Sequence, residues 1–363
     1  MIKPVSEHKI QNILIRSANW VGDTVMSMPM IRAVRLHFPD ARITVLAKPW
    51  VAPVFDNNPY IDHVMIYEAS GRHKGLLGLL RLGKDLRKHR FDLAILVQNA
   101  FEAALLAYIA GIPARLGYNT DGRTFLLTHP VQIKPFHKKR HQTDYYLGIL
   151  QGADLGTWDR ELCMFVSPRS VRKAHATLYD LKISGANKPI GINPGAAFGT
   201  AKRWPAARYA QLSRMLKQAY DAPILVFGGP NEADLGREIC DMAGSGCTNL
   251  CGNTTLSEAI ALIRECRIFI TNDSGLMHVA AGLKIPQIAI FGPTDHIQTS
   301  PLDSNSHMVK GNAECSPCFK QECPKDHRCM NSVSVEMVYD AVVSSLEKNC
   351  HAKNCHRHRV PAA

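Results

Sequence analysis

The sequence predicts an α/β protein of two Rossmann-like domains, and two observations support that prediction. Short apolar runs rich in branched residues alternate with segments whose apolar residues recur at helical spacing. Because strands that alternate with helices are joined by right-handed crossovers, each set is expected to form a parallel sheet. The chain has 363 residues, which is too many for one ordinary core and enough for two α/β domains.

The first half of the chain shows the alternation clearly. An apolar strand is predicted over residues 10–16, a turn over 17–23 and a helix over 24–38, which ends before Pro39. Further strands are predicted at 42–47, 63–67, 91–97, 115–118 and 125–133, and further helices at 50–57, 100–110 and 142–150.

The second half repeats the pattern after a polar stretch, 152–170, that lacks periodicity. We place the domain boundary there, and predict an N-terminal domain of residues 1–170, a C-terminal domain of residues 171–348 and a disordered basic tail of residues 349–363. Open parallel sheets bind ligands at the carboxyl ends of their strands, so we expect the two sheets to face each other across an interdomain cleft. The strands are predicted at 189–193, 223–228, 248–250, 268–271 and 286–291, and the helices at 171–181, 206–220, 232–242 and 256–266.

The composition is that of a globular protein, with 46% apolar and 20% charged residues. No run approaches the roughly 20 apolar residues that a membrane span needs, and residues 1–11 lack a signal-peptide core. We therefore expect a cytoplasmic protein. The formal net charge of +12 favours partners such as nucleic acid, anionic lipid or phosphorylated small molecules. Aromatic residues are not interleaved with the basic ones, so nucleic acid is not expected.

One strand–turn–helix stretch is the strongest candidate for a ligand site. The apolar run 267–270 leads into Asp273, Ser274 and Gly275, and helical spacing begins after them. This geometry aims backbone N–H groups and the positive end of a helix dipole at one point, which suits a phosphate. His278 lies one turn into the same helix and could reach the rest of the ligand. A plain structural turn remains the alternative, since every α/β domain contains strands followed by capped helices.

Two other turns of the second half are expected at the same edge. Gly195 and Thr200 allow close backbone approach, and Lys202 offers a cation, although no Walker string is present. Glu232 stands where an acid could hold ribose hydroxyls. An acid in the first turn of a helix is equally well explained by the helix dipole.

Asp23 is the candidate general base of the first half. It follows the first strand and its glycine turn, so its carboxylate should face the crevice from the other domain. A base acting on a second substrate has to stand at such a position. The alternative is a helix N-cap, since Gly-Asp before a helix is common.

Two basic stretches could meet anions. Residues 71–90 combine a leucine face with seven basic residues, which fits a surface helix packed on the sheet or a helix lying at an anionic membrane. Arg123 and the loop cluster 137–141, which includes Lys138, Lys139 and Arg140, form a candidate anion site. A solvated charged face explains the same pattern.

The chain contains eleven cysteines, which are expected to be mostly reduced thiols in the cytosol. The four cysteines at 315, 318, 323 and 329 could converge on a metal, or could pair or stay reduced. The spacing does not decide among these states.

Three motifs occur in the same order as in one known family. They are Asn19-Trp20-Val21-Gly22-Asp23 followed by Met28-Pro29, Pro194-Gly195-Ala196 followed by Lys202-Arg203-Trp204-Pro205, and Asn272-Asp273-Ser274-Gly275-Leu276-Met277-His278. With these motifs the chain resembles the lipopolysaccharide heptosyltransferases of glycosyltransferase family nine, most closely the heptosyltransferase II branch. The resemblance covers residues 10–346.

The resemblance implies a GT-B fold, an ADP-heptose donor held by the C-terminal domain and a heptosyl-Kdo2-lipid A acceptor held by the N-terminal one. The implied activity is transfer of L-glycero-D-manno-heptose to the first heptose of the inner core. The implied location is the cytoplasmic face of the inner membrane, whose anionic surface would be a further partner. Alternatives are a heptosyltransferase I acting on Kdo2-lipid A and a non-catalytic nucleotide- or lipid-binding protein.

The resemblance also assigns residues to the reaction. Asp23 matches the base of an inverting transfer, and Lys202 matches the cation that faces the donor diphosphate. No metal or other cofactor is expected, since the chain has no Asp-x-Asp string. The stretch 196–200 lacks the Thr-Thr pair of the first-heptose branch, which favours the second-heptose branch. The expected donor-binding residues are Gly195, Thr200, Glu232, Asp273, Ser274, Gly275 and His278, and the expected acceptor-binding residues are Arg123, Lys138, Lys139 and Arg140.

Overall fold

The fold is that of a computed structural model, which describes residues 4–5, 9–134, 139–185 and 187–357, with side chains up to residue 348. The chain divides into two compact units, Met1–Phe165 and Val166–Ala363. In the described residues each unit contains a six-stranded sheet in which every strand pairs in parallel with its neighbours. The α/β class with two Rossmann-like halves is therefore confirmed.

The first sheet has the strand order β3-β2-β1-β4-β5-β6. Its central strands are nearly continuous apolar runs because helices cover both faces of a parallel sheet. The strands are β1 (Asn12–Arg16), β2 (Arg42–Ala47), β3 (His63–Ile66), β4 (Leu93–Leu96), β5 (Ala114–Tyr118) and β6 (His129–Val131), and the helices are α1 (Val21–Met26), α2 (Met28–His37), α3 (Gly75–Arg87), α4 (Phe101–Ile109) and α5 (Gln142–Gln151).

The helix predicted over 24–38 is two helices that meet at Ser27. Proline cannot donate a backbone hydrogen bond, and Pro29 stands in the first turn of α2, where this donor is not needed. The first helix begins at Val21, with Trp20 as its N-cap residue. Asp23 is therefore inside the first turn of α1, and the N-cap interpretation of this residue does not hold.

Two further elements of the first unit differ from prediction. The helix predicted at 50–57 is a 3-10 turn, Ala52–Phe55. The strand predicted at 125–133 consists of a 3-10 turn, Thr124–Leu126, followed by the short β6. Apolar residues in such short runs do not distinguish a strand from a turn that packs on the sheet.

The second sheet has the order β12-β11-β10-β7-β8-β9. Its last helix reaches Arg357, so the predicted tail from residue 349 begins inside a helix, and residues 358–363 lie outside the described part. The strands are β7 (Ile190–Asn193), β8 (Ile224–Val226), β9 (Cys247–Asn249), β10 (Ile268–Asn272), β11 (Gln287–Phe291) and β12 (Ser306–Lys310), and the helices are α6 (Pro168–Asp180), α7 (Ala206–Tyr220), α8 (Ala233–Ala243), α9 (Leu256–Glu265), α10 (Gly275–Gly282), α11 (His296–Thr299), α12 (Arg328–Asn331) and α13 (Val335–Arg357).

Both sheets have the strand order of a dinucleotide-binding fold, with a reversal beside the first strand of each unit. Ligands of such sheets bind at the carboxyl ends of the strands next to this reversal. Asp23 follows β1, Gly195 follows β7 and Asp273 follows β10. The three residues therefore stand at the favoured edges of their own sheets.

The leucines of helix α3 lie in two different environments. Leu79, Leu82 and Leu86 are buried in the core of the first unit, whereas Leu76 and Leu77 are 66% and 79% exposed. Among the described helices, none combines the length and apolar character that crossing a membrane requires.

Candidate active site

The turns after β7 and β10 are joined through one buried side chain. The Nδ2 group of Asn272 donates to the carbonyl of Pro194 at 2.7 Å, and its Oδ1 accepts from the Tyr209 hydroxyl at 2.9 Å. Asn272 is fully buried, so these hydrogen bonds satisfy an amide that would otherwise be costly to bury. The two turns are thereby held side by side.

Ser274 is the N-cap residue of α10, but its hydroxyl does not bond to the helix backbone. The Nδ2 group of Asn193 donates to Ser274 Oγ at 2.6 Å, and no side-chain cap bond is formed. The first N–H groups of a helix have no acceptor inside that helix. The start of α10 therefore presents donors and a positive dipole end at the sheet edge.

Lys202 and Asp273 form a buried ion pair. Lys202 Nζ lies 2.7 Å from Asp273 Oδ2, and the side chains are 14% and 6% exposed. The Thr294 hydroxyl donates to the same oxygen at 2.7 Å. An ammonium group has three donors, so Lys202 can bind an anion while Asp273 holds it in place.

The carboxylate of Glu232 lies directly over Gly195. A Cβ atom at Gly195 would stand 1.7 Å from Glu232 Oε1, so the carboxylate would have to move to make room for it. The second oxygen of Glu232 accepts from the Gly229 backbone N–H at 2.8 Å. A side chain at position 195 would therefore displace the Glu232 carboxylate from its present place.

The remaining donor-side candidates lie around this group. Gly199 packs against the backbone of Gln321, whose carbonyl would be 2.2 Å from an added Cβ, and Thr200 is exposed beside it. Gly275 begins α10, and His278 lies one turn further along with its ring buried. The structure thus brings the turns that carry Gly195, Lys202, Asp273 and Ser274 together, with Glu232 lying over Gly195 and Thr200 exposed.

In the first unit, Asp23 has a partner that the sequence did not reveal. The hydroxyl of the buried Tyr146, on α5, donates to Asp23 Oδ1 at 2.7 Å. Burial, followed by the Asp23 charge, raises the pKa of Tyr146 well above its usual value. The phenol therefore stays protonated and remains a donor to the carboxylate.

Arg123 does not fit the predicted acceptor contact. Its side chain is fully buried and donates to the Tyr118 carbonyl at 2.9 Å and to Asn99 Oδ1 at 2.9 Å. Burial lowers its pKa to about 10. The guanidinium stabilises the loops around it by these hydrogen bonds. The charge pattern of the sequence could not distinguish this role from a contact with a ligand.

The other predicted basic residues lie just before α5. Lys139 and Arg140 are exposed there, and Lys138 lies outside the described residues. His141 caps α5 by accepting the backbone N–H of Thr143 at 3.1 Å. The loop is therefore joined directly to the helix that carries Tyr146.

The cysteine-rich segment is hydrogen-bonded to the turns that follow β11 and β7. The Cys318 backbone N–H donates to the Pro293 carbonyl at 2.9 Å, and the Ala201 N–H donates to the Gln321 carbonyl at 3.0 Å. The cysteines up to position 329 carry free thiols. The part of the chain that the structure describes shows no group of three or more potential metal ligands.

Sequence reasoning assigned no role to Tyr146, Asn193, Asn272 or Thr294. Three of them are polar residues at or just beyond the carboxyl ends of strands, and a polar residue closing an apolar run at this edge is a usable signal. Tyr146 carries no such signal, because its partner is distant in sequence.

The chain is similar to known proteins over most of its length. Residues 79–328 match the family described as glycosyltransferase family 9 (heptosyltransferase). The chain is 32% identical over 310 residues to lipopolysaccharide heptosyltransferase 2 of Salmonella typhimurium, covering 82% of this chain and 87% of that protein. It is 31% identical over 346 residues to lipooligosaccharide heptosyltransferase 2 of Campylobacter jejuni, covering 93% and 99%. The solved structure of E. coli ADP-heptose LPS heptosyltransferase II superposes with a TM-score of 0.79 at 28% identity, covering 93% of this chain and 99% of the other.

Proposed function

Because the chain belongs to glycosyltransferase family 9, we propose that it transfers L-glycero-D-manno-heptose from ADP-heptose to the first heptose of the lipopolysaccharide inner core. The chain is a glycosyltransferase, and relatives named heptosyltransferase 2 match most of its length. The observation that carries the proposal is the group of Lys202, Asp273 and Ser274 at the strand reversal of the second sheet. This group has the donors that a nucleotide diphosphate needs.

The proposal assigns the donor to the second unit. The diphosphate would bind Lys202 and the first N–H groups of α10, with Gly275 allowing close approach. A carboxylate repels a diphosphate, so Asp273 would act by orienting Lys202 through the 2.7 Å ion pair. Glu232 would accept hydrogen bonds from the ribose hydroxyls. Gly195, Thr200 and His278 would line the rest of the donor site.

The proposal assigns the base to Asp23. An acceptor hydroxyl oxygen would attack the anomeric carbon of the heptose on the side opposite ADP, and its proton would pass to the Asp23 carboxylate. The bond from the anomeric carbon to the phosphate oxygen would break, so the configuration inverts. Tyr146, at 2.7 Å from Asp23 Oδ1, would keep the carboxylate oriented during this step.

Negative charge grows on the departing diphosphate in the transition state. Lys202 and the α10 N–H groups would stabilise this charge without a metal ion. A hydrogen bond to a charged group contributes roughly 1.5–3 kcal/mol, which corresponds to about one to two decades in rate.

For the acceptor, the exposed Lys139 and Arg140 support a contact with acidic groups, since they precede the helix that carries Tyr146. Lys138 belongs to the same basic run. The buried Arg123 is not part of this proposal.

We also propose that α3 lies at the anionic cytoplasmic surface of the inner membrane. Leu76, Leu77 and Leu80 are exposed, and Arg72, Lys74, Arg81 and Lys84 are exposed around them. Each basic residue near an anionic surface is worth about 1 kcal/mol. The double variant Leu76→Ser/Leu77→Ser should lose sedimentation with phosphatidylglycerol vesicles, whereas Leu36→Ser, a change at another exposed leucine, should not. Equal sedimentation of both would contradict this contact.

The transfer itself is tested by offering purified protein ADP-heptose with either Kdo2-lipid A or its monoheptosylated form. We expect a mass gain of one heptose on the monoheptosylated acceptor only. Transfer to Kdo2-lipid A would instead identify a heptosyltransferase I. ADP binding without ADP release in the presence of either acceptor would indicate a non-catalytic nucleotide-binding protein.

A further inference from the structure

Two buried cations stand side by side at the carboxyl edge of the first sheet. Arg16 is the last residue of β1 and is 1% exposed, and Lys48 follows β2 directly and is 6% exposed. The two strands are paired in register, with Arg16 opposite Leu46. Lysine and arginine are almost never fully buried unless a partner compensates their charge.

An aromatic ring lies under both cations. Tyr67 follows β3, and its ring centroid is 3.5 Å from Lys48 Nζ and 5.4 Å from Arg16 Cζ. A cation over a ring face is attracted to it. Such a ring holds the cations in place but does not neutralise them.

The hydrogen bonds of the two cations are incomplete. Arg16 donates to the Ser17 carbonyl at 2.7 Å and to Asn19 Oδ1 at 3.0 Å, while its Nε is buried with no acceptor. Neither Arg16 nor Lys48 forms an ion pair within the described residues. A buried donor without a partner in a native site calls for an explanation, and a bound group is one of the few available.

The pKa shifts of Arg16 and Lys48 also indicate that their positive charges are not fully compensated. Burial lowers the pKa of Arg16 to about 10, and burial together with Arg16 lowers the pKa of Lys48. Glu102 acts in the opposite direction on both, but it is exposed. A screened carboxylate compensates buried cations only weakly, so positive charge remains in excess here.

The surroundings of the cations suit a sugar. The Trp50 indole donates to the Asn19 carbonyl at 2.8 Å, and Trp50 and Trp20 are 55% and 57% exposed. Indole faces are the usual apolar surface for a ring with hydroxyl groups at its edge. Trp20 caps α1, whose first turn contains Asp23.

We propose that Arg16 and Lys48 bind an anionic group of the acceptor saccharide, a carboxylate or a phosphate, and so hold the acceptor beside Asp23. This inference rests on the proposed function, since it takes the acceptor to be an acidic saccharide. Binding would complete the hydrogen bonds of Arg16 and compensate both charges. The cation pair would thus select acidic acceptors over neutral ones.

The test compares Lys48→Met with wild-type protein in heptose transfer. Methionine keeps much of the aliphatic stem and removes the charge. We expect the acceptor KM to rise about ten- to a hundredfold, while the donor KM and the Kd for ADP stay within about twofold. Lys48→Arg should restore most of the acceptor affinity. Lys9→Met removes an exposed lysine of the same unit and should leave both KM values unchanged. An unchanged acceptor KM in Lys48→Met would overturn the assignment.

Thermal unfolding without acceptor provides a readout that does not depend on turnover. Removing an uncompensated buried cation should leave the Tm of Lys48→Met equal to or above that of the wild type. Titration with inorganic phosphate and with acetate should raise the Tm of the wild type. For at least one of these anions, the increase in Tm should be larger for the wild type than for Lys48→Met. Equal anion responses would overturn the anion site, even if transfer proves to be absent. If the wild type transfers heptose and Lys48→Met has the same kinetics, this inference is wrong but the proposed function stands.

Two modified acceptors identify the anion. One has its sugar-acid carboxyl groups reduced, and the other has its lipid A phosphates removed. Loss of the group that is recognised should raise the acceptor KM of the wild type. It should not raise the acceptor KM of Lys48→Met any further. Equal losses in wild type and variant for both acceptors would contradict the contact.

Discussion

The Tyr146 hydroxyl donates to Asp23 Oδ1 at 2.7 Å, joining α5 to the first turn of α1. Tyr146 is buried, and its phenol stays protonated because burial raises its pKa. A carboxylate that accepts a hydrogen bond from a neutral donor has a defined orientation. This relationship gives the proposed base its position.

The first prediction concerns this hydrogen bond. Tyr146→Phe removes a donor that favours the ionised carboxylate, so the acidic limb of the kcat/KM profile should move to higher pH. The rate above the limb should fall by about tenfold or less. Measuring transfer against pH tests this. Tyr118→Phe is the matched control, since its hydroxyl donates to the Tyr145 carbonyl at 2.7 Å and not to Asp23. The same limb in all three proteins would contradict the prediction.

The second prediction concerns the base itself. Asp23→Asn keeps an acceptor for Tyr146 but cannot take a proton, so turnover should fall by about 10²–10⁴-fold. The Kd for ADP should not change, because the proposed donor-binding residues belong to the second unit. ADP release and calorimetric titration measure the two quantities. Asp40→Asn, at an exposed acid of the same unit, should behave as wild type. Turnover of Asp23→Asn within tenfold of wild type means that another group is the base.

The third prediction separates the two roles of Lys202. Lys202→Met should lower kcat by about one to two decades. It should also lower the free energy of unfolding by roughly 3 kcal/mol, because Asp273 would stay buried without its cation. The double variant Lys202→Met/Asp273→Asn should recover most of the stability, as followed by urea unfolding, but not the turnover. If turnover returns with stability, Lys202 serves only the fold.

The fourth prediction concerns the contact of Gly195 with Glu232. Gly195→Ala places a methyl group where the carboxylate lies, 1.7 Å from Oε1, and should displace it. Both Gly195→Ala and Glu232→Ala should weaken ADP binding by about tenfold through the lost ribose contact. The double variant should be no weaker than either single one. Independent, additive losses of binding would show that the two residues act separately.

The fifth prediction concerns pH and stability. Hydrogen bonding by Lys173 and by the Thr255 backbone lowers the pKa of Glu258 from 4.5 to about 2. A carboxylate whose pKa is lower in the folded than in the unfolded state stabilises the fold at pH values above its unfolded-state pKa. This contribution is lost as pH falls from about 4.5 to 2. Glu258→Gln should lower the free energy of unfolding by about 1 kcal/mol at pH 7. The deficit should shrink as pH falls through this window in urea titrations. A deficit that is independent of pH would refute the linkage. Asp234→Asn, at an exposed acid, is the control.

The strands were predictable because burial on both faces leaves a simple pattern. Residues 13–15 and 268–270 are apolar and fully buried, and such runs predict central strands of parallel sheets. The turns that follow these strands were predictable for the same reason. The positions of Asp23, Gly195 and Asp273 at strand ends could therefore be predicted from the sequence alone.

Helix faces and charge roles were not predictable in the same way. Leu76 and Leu79 carry the same side chain on one helix, yet one is 66% exposed and the other is buried. Arg123 and Lys139 are both basic and were both predicted to contact an anion, but only Lys139 is exposed. Which face is covered depends on the neighbouring elements, and local periodicity carries no information about them.

The sequence by itself determined the α/β class, the repeat of strand and helix in two units, and the strand ends that carry the candidate residues. Only the tertiary structure decided that Tyr146 meets Asp23, that Asp273 binds Lys202, and that Arg16 and Lys48 share a ring. Local patterns follow from backbone geometry, which repeats every two or 3.6 residues. Contacts between distant residues follow instead from strand order and packing, which no local period encodes.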